Sequence, residues 1–217
     1  MGREVTRRKL GAKVRRTQAE RSASTKAHIL ETSFECLADV GYAGTTTVRV
    51  CERGGISRGA LLHHYSTKTA LVSATVEYVF ERRIGAFREA VMALPKGVDA
   101  RQKAVDLLWA QFSSRTFYVW LELLVAARTD PDLQITVTQT GRHFSERARM
   151  LTAELFPDLS GCPSGELLLQ VTFTLMNGLA VDRIVPNETP TESILAFMKQ
   201  LASVFLTGAF DPVAEDG

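Results

Sequence analysis

Between Gly41 and Leu71 the chain reads GYAGTTTVRVCERGGISRGALLHHYSTKTAL, and no other stretch constrains the fold as tightly. Thr45, Thr46 and Thr47 supply hydroxyls that cap a helix start and leave its N–H groups open to an anion. Val48 and the run from Val50 to Arg53 make one or two helical turns. Gly54 and Gly55 end them, because glycine takes the positive φ that a tight inter-helix turn needs. Ile56 plugs the angle between the helices. Ser57 caps a second short helix, with Arg58, Gly59 and Ala60 at its front and His63, His64 and Tyr65 at its end. Gly59 lacks a side chain, so another backbone can approach closely there. Thr67 caps a third helix, with Lys68 in its first turn. Two short helices across a glycine turn, followed at once by a third, form a helix-turn-helix, whose second helix enters a DNA major groove.

From about Thr25 to Leu71 the chain resembles the DNA-binding domain of TetR-type transcriptional regulators. The resemblance rests on Gly41-Tyr42, Thr45-Thr46, the run from Gly55 to Tyr65, and Thr67-Lys68-Thr69-Ala70-Leu71. The chain departs from that pattern at three places. Ala60 stands for the usual Thr, and Leu62 and His63 stand for aromatic residues. Ala60 and Leu62 can still touch thymine methyls, so the resemblance implies a different operator. It places Thr47, His63, His64 and Lys68 on the phosphate backbone. Ser57, Arg58, Gly59, Ala60 and Leu62 fall at or near base edges.

Charge follows the same division. Residues 1–70 hold thirteen Lys/Arg against six Asp/Glu, a balance of +7, and the remainder holds thirteen against eighteen, a balance of −5. The two halves give the net +2 of the whole chain. A basic end that coincides with the helix-turn-helix is the electrostatic footprint of a phosphate-binding face. The segment 1–23 extends it with Arg3, Arg7, Arg8, Lys9, Lys13, Arg15, Arg16 and Arg21, has few apolar residues, and is expected to be a disordered arm. It reads either as a minor-groove arm or as a solvated tail.

The rest of the chain reads as helix, for about nine helices in an all-α fold. Residues 24–70 form the DNA-binding domain, 71–210 a larger helical domain, and 211–217 a tail. Helical periodicity marks Ser24 to Val40, closed by Gly41, and a long helix from Lys68 to Leu94. Further helices run from Asp99 to Ser114, across the apolar piece at Phe117 to Thr129, and from Pro131 to Leu155. Glu166 to Val185 and Thr191 to Leu206 are the last two.

The family resemblance implies that the larger domain binds a small molecule and pairs two copies. Leu168, Val171, Leu175 and Leu179 line one face of the penultimate helix. Ile194, Met198, Leu201 and Phe205 line one face of the last. These stripes form a homodimer interface or pack within one chain; periodicity alone separates neither. The densest aromatic cluster, Trp109, Phe112, Phe117, Trp120 and Leu124, with Phe87, His143 and Phe144, is the candidate effector site, against a reading as ordinary core. Glu122, Arg128 and Asn177 are further polar candidates, with Arg128 favoured as a helix-end anchor.

Several classes are excluded. No Gly-x-Ser-x-Gly elbow, His-Glu-x-x-His pair or phosphate-binding glycine loop occurs, so no enzyme, cofactor or metal is expected. Adjacent His63 and His64 diverge on a helix and cannot chelate one ion. Cys36, Cys51 and Cys162 are distant from one another and odd in number, which suggests reduced thiols in a cytosol. No apolar run is long enough to span a bilayer, and the basic N-terminus lacks the apolar core of a secretory signal. The expectation is a cytoplasmic homodimer on a palindromic double-stranded operator, released from it by a small hydrophobic or amphipathic effector. Repressor is favoured over activator by analogy alone. The alternative is a small-molecule-binding helical protein whose basic end meets a protein or RNA.

Overall fold

The computed structural model describes residues 17–95, 98–157, 163–185 and 188–205. Among them are nine helices and no strand: α1 Gln18–Gly44, α2 Thr47–Gly54, α3 Arg58–His64, α4 Lys68–Met92, α5 Val98–Phe112, α6 Arg115–Ala127, α7 Pro131–Leu155, α8 Pro163–Asp182 and α9 Thr191–Phe205. No helix of the described residues is long and apolar enough to cross a membrane. Residues 1–16 of the expected arm, Cys162 and the 211–217 tail lie outside the described residues.

Residues 18–23, expected within a disordered arm, are helical, because α1 starts at Gln18. The cause is local. Thr17 Oγ1 accepts from the Glu20 N–H at 3.2 Å, and Glu20 Oε2 accepts from the Thr17 N–H at 2.7 Å. This capping box satisfies donors that a helix start leaves open. At its other end α1 kinks at Gly41, with φ 69° and ψ −178°. That backbone region is essentially restricted to glycine.

Three apolar clusters organise the helices. Ile29, Leu30 and Cys36 of α1 meet Val50, Leu61, Tyr65 and Leu71 to form the helix-turn-helix core, with Ile56 packed against it as expected. Leu37 of α1, Val72, Val76 and Phe80 of α4, Val119 and Leu123 of α6, and Leu133 and Val137 of α7 form the central core. Val105 of α5 joins Met176 and Leu179 of α8 and Leu195 and Met198 of α9. α1 and α4 therefore contribute to both the reading unit and the central core. With a rise of 1.5 Å per residue, α4 carries its chain about 24 Å from Leu71 to Phe87 without a break.

Candidate nucleic-acid interface and effector cavity

The reading unit is built by capping. Thr46 alone of the three threonines caps α2, its Oγ1 accepting from the Arg49 N–H at 3.1 Å. Thr45 is buried and donates its hydroxyl to Gly41 O at 2.7 Å. Thr47 opens α2 half-buried, beside its uncapped N–H groups. Gly55, at φ 60°, ends α2 in the left-handed conformation, and the Ile56 N–H reaches back to Cys51 O at 2.9 Å. Gly54 has no room for a side chain, since a Cβ there would meet Ile56 Cδ1 at 2.6 Å and Thr32 Oγ1 at 3.0 Å. His28 Nε2 lies 2.8 Å from Gly54 O and ties the turn to α1.

On α3 the helix period divides the side chains cleanly. Leu61 is fully buried and Tyr65 is 7 % exposed. Arg58, Gly59, Leu62 and His63 face outward, with Ala60 and His64 at the margins. Ser57 Oγ caps the helix, accepting from the Ala60 N–H at 3.2 Å. Among the described residues Arg58 makes no hydrogen bond or ion pair, and a Cβ at Gly59 would meet nothing within 4 Å. Leu62 is 43 % exposed, an apolar side chain with a free outer face.

Lys68 has an intrachain partner in the absence of DNA. Nζ donates to Tyr42 O at 2.6 Å and lies 4.0 Å from the centre of the Tyr42 ring. Partial burial pushes its pKa down, and nearby Asp130 opposes that. The start of α4 is thereby pinned to the end of α1. Lys68→Met is expected to cost about 1–2 kcal/mol of stability. The salt dependence of DNA binding should stay unchanged in that variant. A slope reduced by about one unit would restore Lys68 to the phosphate face.

Behind this unit α6 is clamped to α1 at two points. Arg115 binds Asp39 at 2.6 Å and Glu35 at 3.2 Å, and Arg53 of α2 binds the same Asp39 at 2.6 Å. Seven residues on, Glu122 Oε1 accepts from the Tyr42 N–H at 2.6 Å. Glu122 is thus a latch on α1 and does not face an effector. Arg53, by its hydrogen bond first, and then Arg115 hold Asp39 below its ordinary pKa. A depressed carboxylate pKa contributes stability that is complete above the unfolded value and lost as pH falls through the folded one. Melts from pH 7 to 3 should therefore fall less steeply in Asp39→Asn than in the native chain; parallel curves would remove Asp39 from the clamp's energetics.

On its other side α6 lines a cavity of about 1200 Å3, open to solvent and walled by α4 to α8. Of the expected effector residues, Phe87, Phe112, Phe117, Trp120, Leu124, His143 and Phe144 line it. Trp109 does not. It packs with Val105, Met176 and Leu195, and Arg183 lies over its ring at 5.6 Å. The phase of α5 explains this, since Leu108, Gln111 and Phe112 take the cavity face. Sequence reasoning missed Phe80, Arg83, Ile84, Gln111 and Thr116, which also line it. Phe80 packs against Trp120 and Phe144 with ring centres 5.3 and 4.6 Å away. Asn177 lines the cavity while donating to Phe173 O at 2.7 Å, and Arg128 caps the end of α6.

The expected dimer stripe is split. Leu168, Leu179 and Met198 are buried within the chain, and half-buried Ile194 packs against the cluster that holds Leu179 and Met198. Val171 and Leu175 are exposed, in line with Leu167, Gly178 and Val181 along α8. Phe197 of α9 is 56 % exposed. Leu201 is half-buried, and the side chain of Phe205 lies outside the described residues.

An outward-facing reading helix, carried by helices that also wall a cavity, defines a helix-turn-helix regulator. The chain belongs to the TetR family of bacterial regulatory proteins, whose family model matches residues 29–75. An HTH-type transcriptional regulator of Mycobacterium tuberculosis is 34 % identical over 148 residues, covering 66 % of this chain and 76 % of the relative. The HTH-type transcriptional regulator CymR of Pseudomonas putida is 31 % identical over 172 residues, covering 77 % and 83 %. A TetR-family regulator structure from Mesorhizobium loti superimposes with a TM-score of 0.67 over 87 % of this chain and 98 % of that one, at 17 % identity. That likeness concerns the fold. The protein is accordingly a DNA-binding transcriptional regulator.

Proposed function

We propose that the protein is a dimeric repressor released from a palindromic operator by a small amphipathic effector. The observation that carries this reading is the outward face of α3, where Arg58, Gly59 and Leu62 have no partner among the described residues. Ser57 and Ala60 complete the edge that meets bases. Thr47, His63 and His64 flank it as phosphate contacts. One seven-residue helix offers few base contacts, so two copies are needed for useful affinity. The apolar line of Leu167, Val171, Leu175 and Val181, with Phe197 of α9, supplies the pairing surface, and Gly178 lets the helices approach closely.

Release works by population shift. α4 joins the reading core at Leu71 to the cavity wall at Phe80 and Phe87. α6 joins the same wall at Thr116 and Trp120 to α1 through Arg115 and Glu122. An effector that fits better when these helices have moved favours a spacing of the two reading heads that no longer matches successive grooves. Val171→Glu combined with Phe197→Glu tests the reading. Light scattering should give the single-chain mass, and affinity for a duplex recovered by selection should fall at least about a hundredfold. A folded monomer that binds DNA as tightly as the native protein would rule the dimer out.

A further inference from the structure

Among the described residues, one half-buried charged group of the cavity has no opposite charge beside it. Arg83 of α4 is half-buried against the aromatic wall. Its Nε donates to Gln111 Oε1 at 2.6 Å, and its Nη1 donates to Thr116 Oγ1 at 2.7 Å. Both partners are neutral. Among the described residues no carboxylate pairs with Arg83. Glu31, which borders the small cleft behind it, is taken by Arg82 at 2.9 Å. Arg82 and Arg83 thus have opposite fates on adjacent positions: one is a surface ion pair, the other a guanidinium held by neutral groups at a cavity wall.

The two neutral hydrogen bonds fix the guanidinium plane and use two of its five N–H donors. Three donors remain, one on Nη1 and two on Nη2, and these can take a carboxylate. A guanidinium withdrawn from water without a counter-ion is costly, and an incoming anion relieves that cost. The rest of the lining agrees. Arg142, Arg149 and Glu146 also line the cavity, all three solvent-exposed, so its rim is positive on balance. The body of the cavity is aromatic, from Phe80, Phe112, Phe117, Trp120 and Phe144.

We infer that the cavity takes a hydrophobic carboxylate, with its apolar body among these rings and its carboxylate on Arg83. This deepens the effector reading above and rests on it. It also places recognition of the charge at Thr116, directly after Arg115, whose guanidinium clamps α1 at Glu35 and Asp39. A carboxylate that draws Arg83 away from Thr116 thereby acts on the first turn of the helix that holds the reading unit.

The test is calorimetric titration of the full-length protein at pH 7 with 2-naphthoate and octanoate, each against its neutral amide. At least one acid is expected to bind about tenfold or more tightly than its amide. Arg83→Met should abolish that preference and leave amide affinity nearly unchanged, while Arg83→Lys retains part of it. The native acid–amide comparison stands whether or not the variants fold. An amide as tight as its acid overturns the proposal but leaves an effector cavity in place. Absence of binding by either acid also overturns it. The operator reading is judged apart from both, by duplex retention without ligand.

Discussion

Gly41→Ala is expected to destabilise the chain by about 3 kcal/mol, combining backbone strain with the loss of a charge-assisted hydrogen bond. The backbone at φ 69° and ψ −178° excludes a Cβ by itself. The Glu122 carboxylate also occupies the space that the Cβ would need, on its way to the Tyr42 N–H. Both effects follow from one design: the absent side chain lets α6 grip the end of α1. Glu122→Gln separates them, because it keeps the backbone unstrained and an acceptor in place. It should cost well under half as much in denaturant unfolding. Equal losses in the two variants would mean that strain at Gly41 is negligible, and the assignment would fail.

Arg58→Ala is expected to weaken binding to the preferred duplex by about 1–3 kcal/mol, roughly ten- to a hundredfold, with little change in folding stability. Arg58 is exposed at the front of α3 and makes no bond to another described residue, so its removal leaves the reading core intact. If it reads a guanine, the loss falls on the preferred sequence and specificity relaxes at that position. A loss of equal size on scrambled DNA would make it a phosphate contact instead. Gly59→Ala is a useful companion, since nothing in the chain lies within 4 Å of the added methyl. Any loss of DNA affinity there reports the approach of the duplex alone.

The reading unit was legible because its signals are local. Thr46, Gly55, Ser57 and Thr67 act within a few residues of themselves, and all four occupy the predicted caps or turn. The Thr17–Glu20 capping box was equally local, but the surrounding basic run masked it. The Lys68 contact carried no local signal, because its partner, Tyr42 O, is a carbonyl twenty-six residues away that tertiary packing delivers. Trp109 and the α8–α9 stripes were misread for a related reason. Periodicity marks an apolar face and does not say which neighbour covers it. Leu179 faces α5 and α9 and Leu168 is buried, whereas Val171 and Leu175, from the same stripe, remain exposed.

Arg83 carried no sequence signal. It stands in the run Glu81-Arg82-Arg83, which reads as a solvated charged face. Only the arrival of α5 and α6 turns one of these arginines into a half-buried group with neutral partners. The coupling route was half legible. The unbroken α4 was predicted from its periodicity, but Arg115 and Glu122 on α6 gave no hint that they would meet Glu35, Asp39 and the Tyr42 N–H.

The central claim, that two outward α3 faces read one palindrome, is tested most directly by selecting duplexes from a random pool with full-length protein at physiological salt. The account predicts enrichment of an inverted repeat whose half-sites lie about one helical turn apart, bound by one dimer. A folded dimer that enriches no sequence, or enriches a single unpaired half-site, would contradict it.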